Sequence, residues 1–246
     1  MNINVDNIAK GPKTFREKAL LFLTGHFFIL ETILISTFIM AWIGGPGYLV
    51  GLFAALITLW ATGWDWSYFG LGKVKWSGSI IPALGYVMMI ILINDFLLEP
   101  LVELIIGEGI HLEAFEGLRG NLPNLLMMLA IMWIMAAFGE EFFFRGYVMN
   151  RLAILFGNSH TSWIIALISS SVMFGIVHSY QGLSGMITTG VVGLFLGLVF
   201  LRNKDNLVVG MLVHGIYDTY GLTLIYFGKE LFVKNMMMDI YQSLIQ

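Results

Sequence analysis

The stretch FGEEFFFRG, Phe138 to Gly146, decides how this chain is read. It sets two adjacent carboxylates and one guanidinium among aromatic and glycine positions, inside a run that is otherwise apolar. The surroundings are hydrocarbon-like throughout. Of the 246 residues 58% are hydrophobic and 12% charged, and mean hydropathy is +0.82. A soluble domain carries about 25% charged residues. The chain is therefore predicted to be all-α, a polytopic membrane helical bundle, because lipid offers an unpaired backbone no hydrogen-bond partner.

Working outward, about seven transmembrane helices are expected: Ala19–Trp42, Gly47–Gly63, Ser79–Leu98, Leu122–Phe144, Thr161–Tyr180, Leu183–Leu201 and Leu207–Phe227. Each approaches the roughly 20 residues needed to cross hydrocarbon. The second is the shortest, and a re-entrant path is its alternative. The first continues past the length of a signal-peptide core with no small-residue cleavage site behind it, so a retained helix is expected. The tail LFVKNMMMDIYQSLIQ, residues 231–246, reads as a surface helix, with its Met run serving apolar contact. No repeat or soluble domain interrupts residues 1–246, which read as a single membrane domain.

Charge and cysteine usage narrow the partners. A net charge of −3 without a broad basic face argues against nucleic acid. The absence of Cys excludes disulfides and thiolate metal sites. Lys10, Lys13, Arg16 and Lys18 precede the first span, Lys73 and Lys75 follow the second, Arg151 the fourth, and Arg202 and Lys204 the sixth. The loop after the third holds Glu99, Glu103, Glu108, Glu113 and Glu116 against Arg119. Lys and Arg mark cytoplasmic loops, so the N-terminus is expected inside and the C-terminus outside.

Ionisable groups within spans are costly and mark function by default. Three helices supply them: Glu140, Glu141 and Arg145; His178; and His214 with Asp218. Glu141 and Arg145 are four apart and can pair along a helix. Glu140 then points about 100° away, with no local cation, and is free to accept a proton or meet a metal. His214 and Asp218, also four apart, can enter one cavity together. Counted from the turn near Gly157, Glu140 and His178 fall near one level, roughly 25 Å along their helices. His26, Glu31 and Asp95 are expected to be ordinary interhelical hydrogen-bond formers.

The motifs E-E-x-x-x-R at Glu140–Arg145, F-x-x-x-H at Phe174–His178 and H-x-x-x-D at His214–Asp218 together resemble the CPBP family of intramembrane proteases. That family includes the CAAX prenyl endopeptidases and bacterial Abi proteins linked to bacteriocin self-immunity. The resemblance covers roughly residues 122–227, the expected catalytic core. It implies a membrane-embedded cavity in which a glutamate and a histidine activate water for peptide cleavage. Glu140 becomes the general base and His178 a partner of the water or of a metal. His214 and Asp218 would stabilise the oxyanion, while Glu141 and Arg145 brace the site beside Phe174. Asp218 stands where many members have Asn, and a carboxylate donates a hydrogen bond only when protonated.

Glu140, His178 and His214 also form a set able to hold Zn2+, although H-E-x-x-H is absent, and a metal-free mechanism stays open. The expected partners are membrane lipids and a peptide or lipidated-peptide substrate, in a bacterial cytoplasmic membrane. A second reading of the same family is a non-proteolytic immunity or scaffold protein. A third takes Gly182-Leu183-Ser184-Gly185 as a rhomboid-like serine motif, but it leaves Glu140, Glu141 and His178 unused.

Overall fold

A computed structural model describes residues 11–12, 14–72, 76–203 and 206–245. Lys10, Lys13, Lys73, Lys75 and Lys204, which carry much of the expected charge asymmetry, lie outside the described residues. The described elements are helical. In order they are α1 Phe15–Leu23, α2 His26–Ile43, α3 Tyr48–Ala61, α4 Trp76–Ile90, α5 Glu99–Ile106, α6 Leu122–Met132, α7 Asn150–Leu155, α8 His160–Val177, α9 Gly182–Arg202, α10 Val208–Tyr226 and α11 Phe232–Ile245. Wider π-helical turns, Ile91–Leu98 and Trp133–Met149, join α4 to α5 and α6 to α7 into continuous rods.

Among the described residues, six helices are long and apolar enough to cross a membrane: His26–Ile43, Gly78–Ile106, Leu122–Leu155, His160–Val177, Ser179–Arg202 and Val208–Tyr226. The seventh expected span, Gly47–Gly63, is the shorter apolar helix Gly45–Ala61. Its ends nevertheless reach opposite faces of the bundle. Gly44, just before it, lies against the Val177 carbonyl and Ser179, whereas Gly63, just after it, lies against the Arg16 guanidinium.

The connections sort into the same two faces. On the first, Leu71 bridges Asn206 and Leu207 N–H donates to the Gly70 carbonyl. On the second, His111 N–H donates to the Gln181 carbonyl and Gly120 N–H to that of Tyr226. The chain thus alternates between faces, with Arg16 on the first and Glu108, Glu113 and Glu116 on the second.

Several boundaries differ from the sequence expectation. The first span is broken at Gly25: Thr14 and Glu17 form a capping box that starts α1, and Gly25, extended at ψ 146°, starts α2 afresh. Glu99 and Glu103 are helical rather than loop residues, because α5 continues the rod from Ile91–Leu98 without a break. Arg151 is not a loop cation. It is buried on α7, hydrogen-bonded to the Tyr68 hydroxyl with its guanidinium 4.2 Å over that ring. His26 and Glu31 are exposed on α2 and are not packed interhelical groups.

The core is the opening stretch itself. Residues 139–149 are all buried, with Phe142, Phe143, Phe144 and Tyr147 fully so, and protein rather than lipid surrounds them. Small residues let the neighbours close in: a Cβ on Gly51 would sit 2.2 Å from the Phe143 ring, and one on Gly175 2.6 Å from the Met186 carbonyl oxygen. Large apolar side chains such as Phe27, Phe38, Ile81 and Ile105 point outward instead.

Candidate active site

The π-helical rod from Trp133 to Met149 carries Glu140, Glu141 and Arg145 into the middle of the bundle. π turns inside long helices occur frequently at functional sites. Glu141 and Arg145 are both fully buried, and Arg145 Nη1 donates to Glu141 Oε1 at 2.8 Å. Arg145 Nη2 donates to the Gly193 carbonyl, also at 2.8 Å, and its guanidinium lies 4.6 Å from the Phe174 ring centroid. A charge this deep is tolerable only when paired and hydrogen-bonded.

Glu141 makes a second contact. Its Oε1 lies 2.9 Å from His214 Nδ1. A hydrogen on Nδ1 is the arrangement that bond requires, which turns His214 Nε2 away from Glu141 and toward the cavity. There Nε2 stands 3.4 Å from Asp218 Oδ2 and 4.0 Å from Glu140 Oε2. Gly210 leaves room for this packing, since a Cβ there would lie 3.1 Å from Glu141 Oε2. On α8, His178 closes the helix and its Nδ1 is 2.8 Å from the Phe174 carbonyl. That bond likewise fixes the proton on Nδ1 and leaves Nε2 a free acceptor.

Phe174 is the common neighbour. Its ring meets Phe144 edge-on at 5.2 Å, His214 edge-on at 5.8 Å and His178 at 4.9 Å. Gly193 permits this position, because a Cβ there would be 3.0 Å from that of Phe174. The aromatic residue of F-x-x-x-H thus serves three ionisable groups at once.

A cavity of about 400 Å³ is lined by Glu140, His178, His214 and Asp218, and its wall continues over Tyr180, Tyr217, Asp95 and Asn94 to Lys234 of α11. Glu141 and Arg145 do not line it. Glu140 does, and its Oε2 is buried without a hydrogen-bond partner. Ile110, Leu112 and Phe115 from the second-face loop also line the cavity, so it extends toward the acidic connections.

Asn94, Asp95 and Tyr217 were not singled out by sequence reasoning as site residues. Asp95 does form the expected interhelical bond, accepting from the Tyr217 hydroxyl at 2.6 Å, but on the cavity wall. The usable signal was a carboxylate inside an apolar span. Ser184 is placed elsewhere: its hydroxyl donates to the Glu108 carbonyl at 2.5 Å, and it does not line the cavity. The rhomboid-like reading thereby lacks a nucleophile near His214.

A divalent metal would need Glu140, His178 and His214 as its donors. Two imidazoles with Nδ1 anchored and Nε2 free are the backing that zinc ligands usually have. Their separations do not fit: among the described residues no three of His, Asp or Glu come close enough together to hold one ion.

Residues 122–220 match the family model described as type II CAAX prenyl endopeptidase Rce1-like. The match spans less than half of the chain, from the start of α6 into α10, and contains Glu140, Glu141, Arg145, Phe174, His178, His214 and Asp218. No curated protein and no solved structure matches the chain.

Proposed function

We propose that the chain, a CPBP-family member by the match of residues 122–220, hydrolyses a peptide bond of a membrane-associated or lipidated substrate, with Glu140 as general base. The observation that carries this reading is the lone Glu140 Oε2, buried, unpartnered and on the wall of a cavity that also presents His178, His214 and Asp218.

The chemistry follows from which atoms are already engaged. His178 Nε2 and Glu140 can each accept one hydrogen of a water between them, which aligns its lone pair on the scissile carbonyl. Glu140 takes the proton as the water oxygen attacks, then returns it to the leaving amine as the C–N bond breaks. His214, held by Glu141 and facing Asp218, donates through a protonated Nε2 to the developing oxyanion. Asp218 stabilises that imidazolium and need not itself be protonated. Glu141 and Arg145 act by position, from behind His214.

A zinc ion on Glu140, His178 and His214 is the second reading; the anchored imidazoles favour it and the separations of the three donors count against it. When bound it would supply Lewis acidity and an acidified water. No step above depends on it. A non-proteolytic immunity or scaffold role is the competing class. The orientation proposed is the first face in the cytoplasm, by the excess of Lys and Arg, which turns the cavity toward the opposite side.

The test is cleavage of membrane peptides by the purified protein and by Glu140→Gln, with fold checked by size exclusion and circular dichroism. Products made by the wild type and absent with a folded Glu140→Gln support the proposal. Wild-type protein without products, alongside intact biological protection in Glu140→Gln, favours the scaffold class.

A further inference from the structure

The water-activating cluster uses only part of the cavity wall. A second polar group lies beside it, where Asn94 Nδ2 donates to Asp95 Oδ1 at 3.2 Å and to the Tyr217 hydroxyl at 2.9 Å. Tyr217 in turn donates to Asp95 at 2.6 Å. Every side-chain donor in this group is therefore turned inward upon it. What remains is acceptor capacity: Asn94, only 7% exposed, has an Oδ1 with no partner, and Glu99 lines the same wall one turn beyond Asp95.

The neighbouring cations already have ion-pair partners. Lys234 is held by Glu103 at 2.8 Å, and Arg119 is held by Glu230. Glu230 also keeps an unpartnered, buried Oε2 on this wall. Asp95 and Glu99 are half-buried, and a carboxylate taken part-way out of water without an ion-pair partner favours a proton or a ligand cation. The approach favours a ligand cation, since exposed Glu108, Glu113 and Glu116 make the second face attractive to positive charge. Around the polar group the wall is hydrocarbon, from Ile110, Phe115, Met128 and Ile131.

We propose that Asn94, Asp95 and Glu99 form a cation-accepting subsite of the cavity, which binds a protonated amine carried on an apolar segment of the substrate. The assignment rests on the proteolytic reading for the word substrate, while binding itself needs no turnover. Lysine-type side chains or a free amino group next to apolar residues are the chemistry this wall takes.

The probes are octylamine and octanol, equal in apolar length and different in charge. Their binding to full-length protein in phosphatidylcholine nanodiscs is measured by calorimetry, with empty nanodiscs subtracted, for wild type, Asp95→Asn and Glu99→Gln. Charge-assisted hydrogen bonds predict that wild type binds the amine about tenfold or more tightly than the alcohol. That preference should collapse in the variants. Asp95→Asn keeps an acceptor for Tyr217, and Glu99→Gln keeps the shape if the first variant does not fold. Equal binding of amine and alcohol by wild type overturns the subsite, as does a preference that survives both substitutions. Repeating the titration on Glu140→Gln separates this outcome from failure of the proteolytic reading, because that variant should bind the amine whether or not the wild type cleaves.

Discussion

His214 is held through Nδ1 by Glu141, 2.9 Å away, and the same Glu141 oxygen takes Arg145 at 2.8 Å. One buried carboxylate thus joins the bracing pair to the histidine that faces the cavity. The adjacent glutamates divide the labour: Glu141 points into protein and fixes a partner, while Glu140 points into the cavity with a free oxygen. Adjacent positions on a helix face different directions, and here the two directions are two environments.

Glu140→Gln should give folded protein in normal yield with cleavage reduced by about 100- to 10,000-fold, the usual contribution of a general base. Gln keeps the side chain's shape and breaks no ion pair shorter than the 4.0 Å approach of His214. Steady-state cleavage per mole of folded protein is the measurement. Activity within a few-fold of wild type would remove Glu140 from the chemistry.

Arg145→Ala should act on stability first. It leaves Glu141 buried and half compensated, and breaking a buried pair costs about 3–5 kcal/mol. Thermal unfolding in detergent should show a large loss for Arg145→Ala and a smaller one for Arg145→Lys, which restores charge without the second bond to the Gly193 carbonyl. Equal melting of Arg145→Ala and wild type would contradict the bracing role.

Two glycines should respond oppositely to one methyl group. Gly175→Ala places a Cβ 2.6 Å from the Met186 backbone oxygen, where α8 and α9 touch, and overpacking of this kind costs about 1–3 kcal/mol. Gly85→Ala meets nothing within 4 Å and should stabilise by about 0.5–1 kcal/mol through lost chain entropy. Melting temperatures of the pair, measured side by side, check both signs.

How much of this was legible follows from what each signal depends on. Span positions were readable because hydropathy and length are local, and the motif residues were readable because charge in hydrocarbon is conspicuous. The Glu141–Arg145 pair was readable from i,i+4 spacing, which the wider turns of Trp133–Met149 did not abolish. The His214–Glu141 bond was not, since it joins residues 73 apart on different helices. Asp95 looked like a packing residue because its partner Tyr217 and its place on the cavity wall are tertiary facts. Arg151 looked like a loop cation because nothing in its sequence neighbourhood announces the Tyr68 ring.

Topology is open to a direct measurement. Single cysteines can be introduced into a chain that has none, at Gly63 on the first face and at Glu113 on the second. With the first face cytoplasmic, an impermeant maleimide added to intact cells should label position 113 and spare position 63. The reverse pattern would invert the bundle and direct the cavity to the cytoplasm.

Metal removal separates the two water-activating schemes. As placed, Glu140, His178 and His214 do not close on one ion, so cleavage should survive prolonged treatment with a zinc chelator. Elemental analysis of the same sample supplies a readout that does not depend on activity. Full cleavage at less than about a tenth of a zinc per chain would leave the Glu140–His178 water in charge, since a required metal must be stoichiometric with its site. Loss of cleavage, restored by zinc and accompanied by one bound ion that Glu140→Gln and His214→Ala each fail to retain, would instead make the three residues a ligand set. In that case the proton would have to pass to another carboxylate, and Asp218, on the cavity wall 3.4 Å from His214 Nε2, is the one beside that histidine.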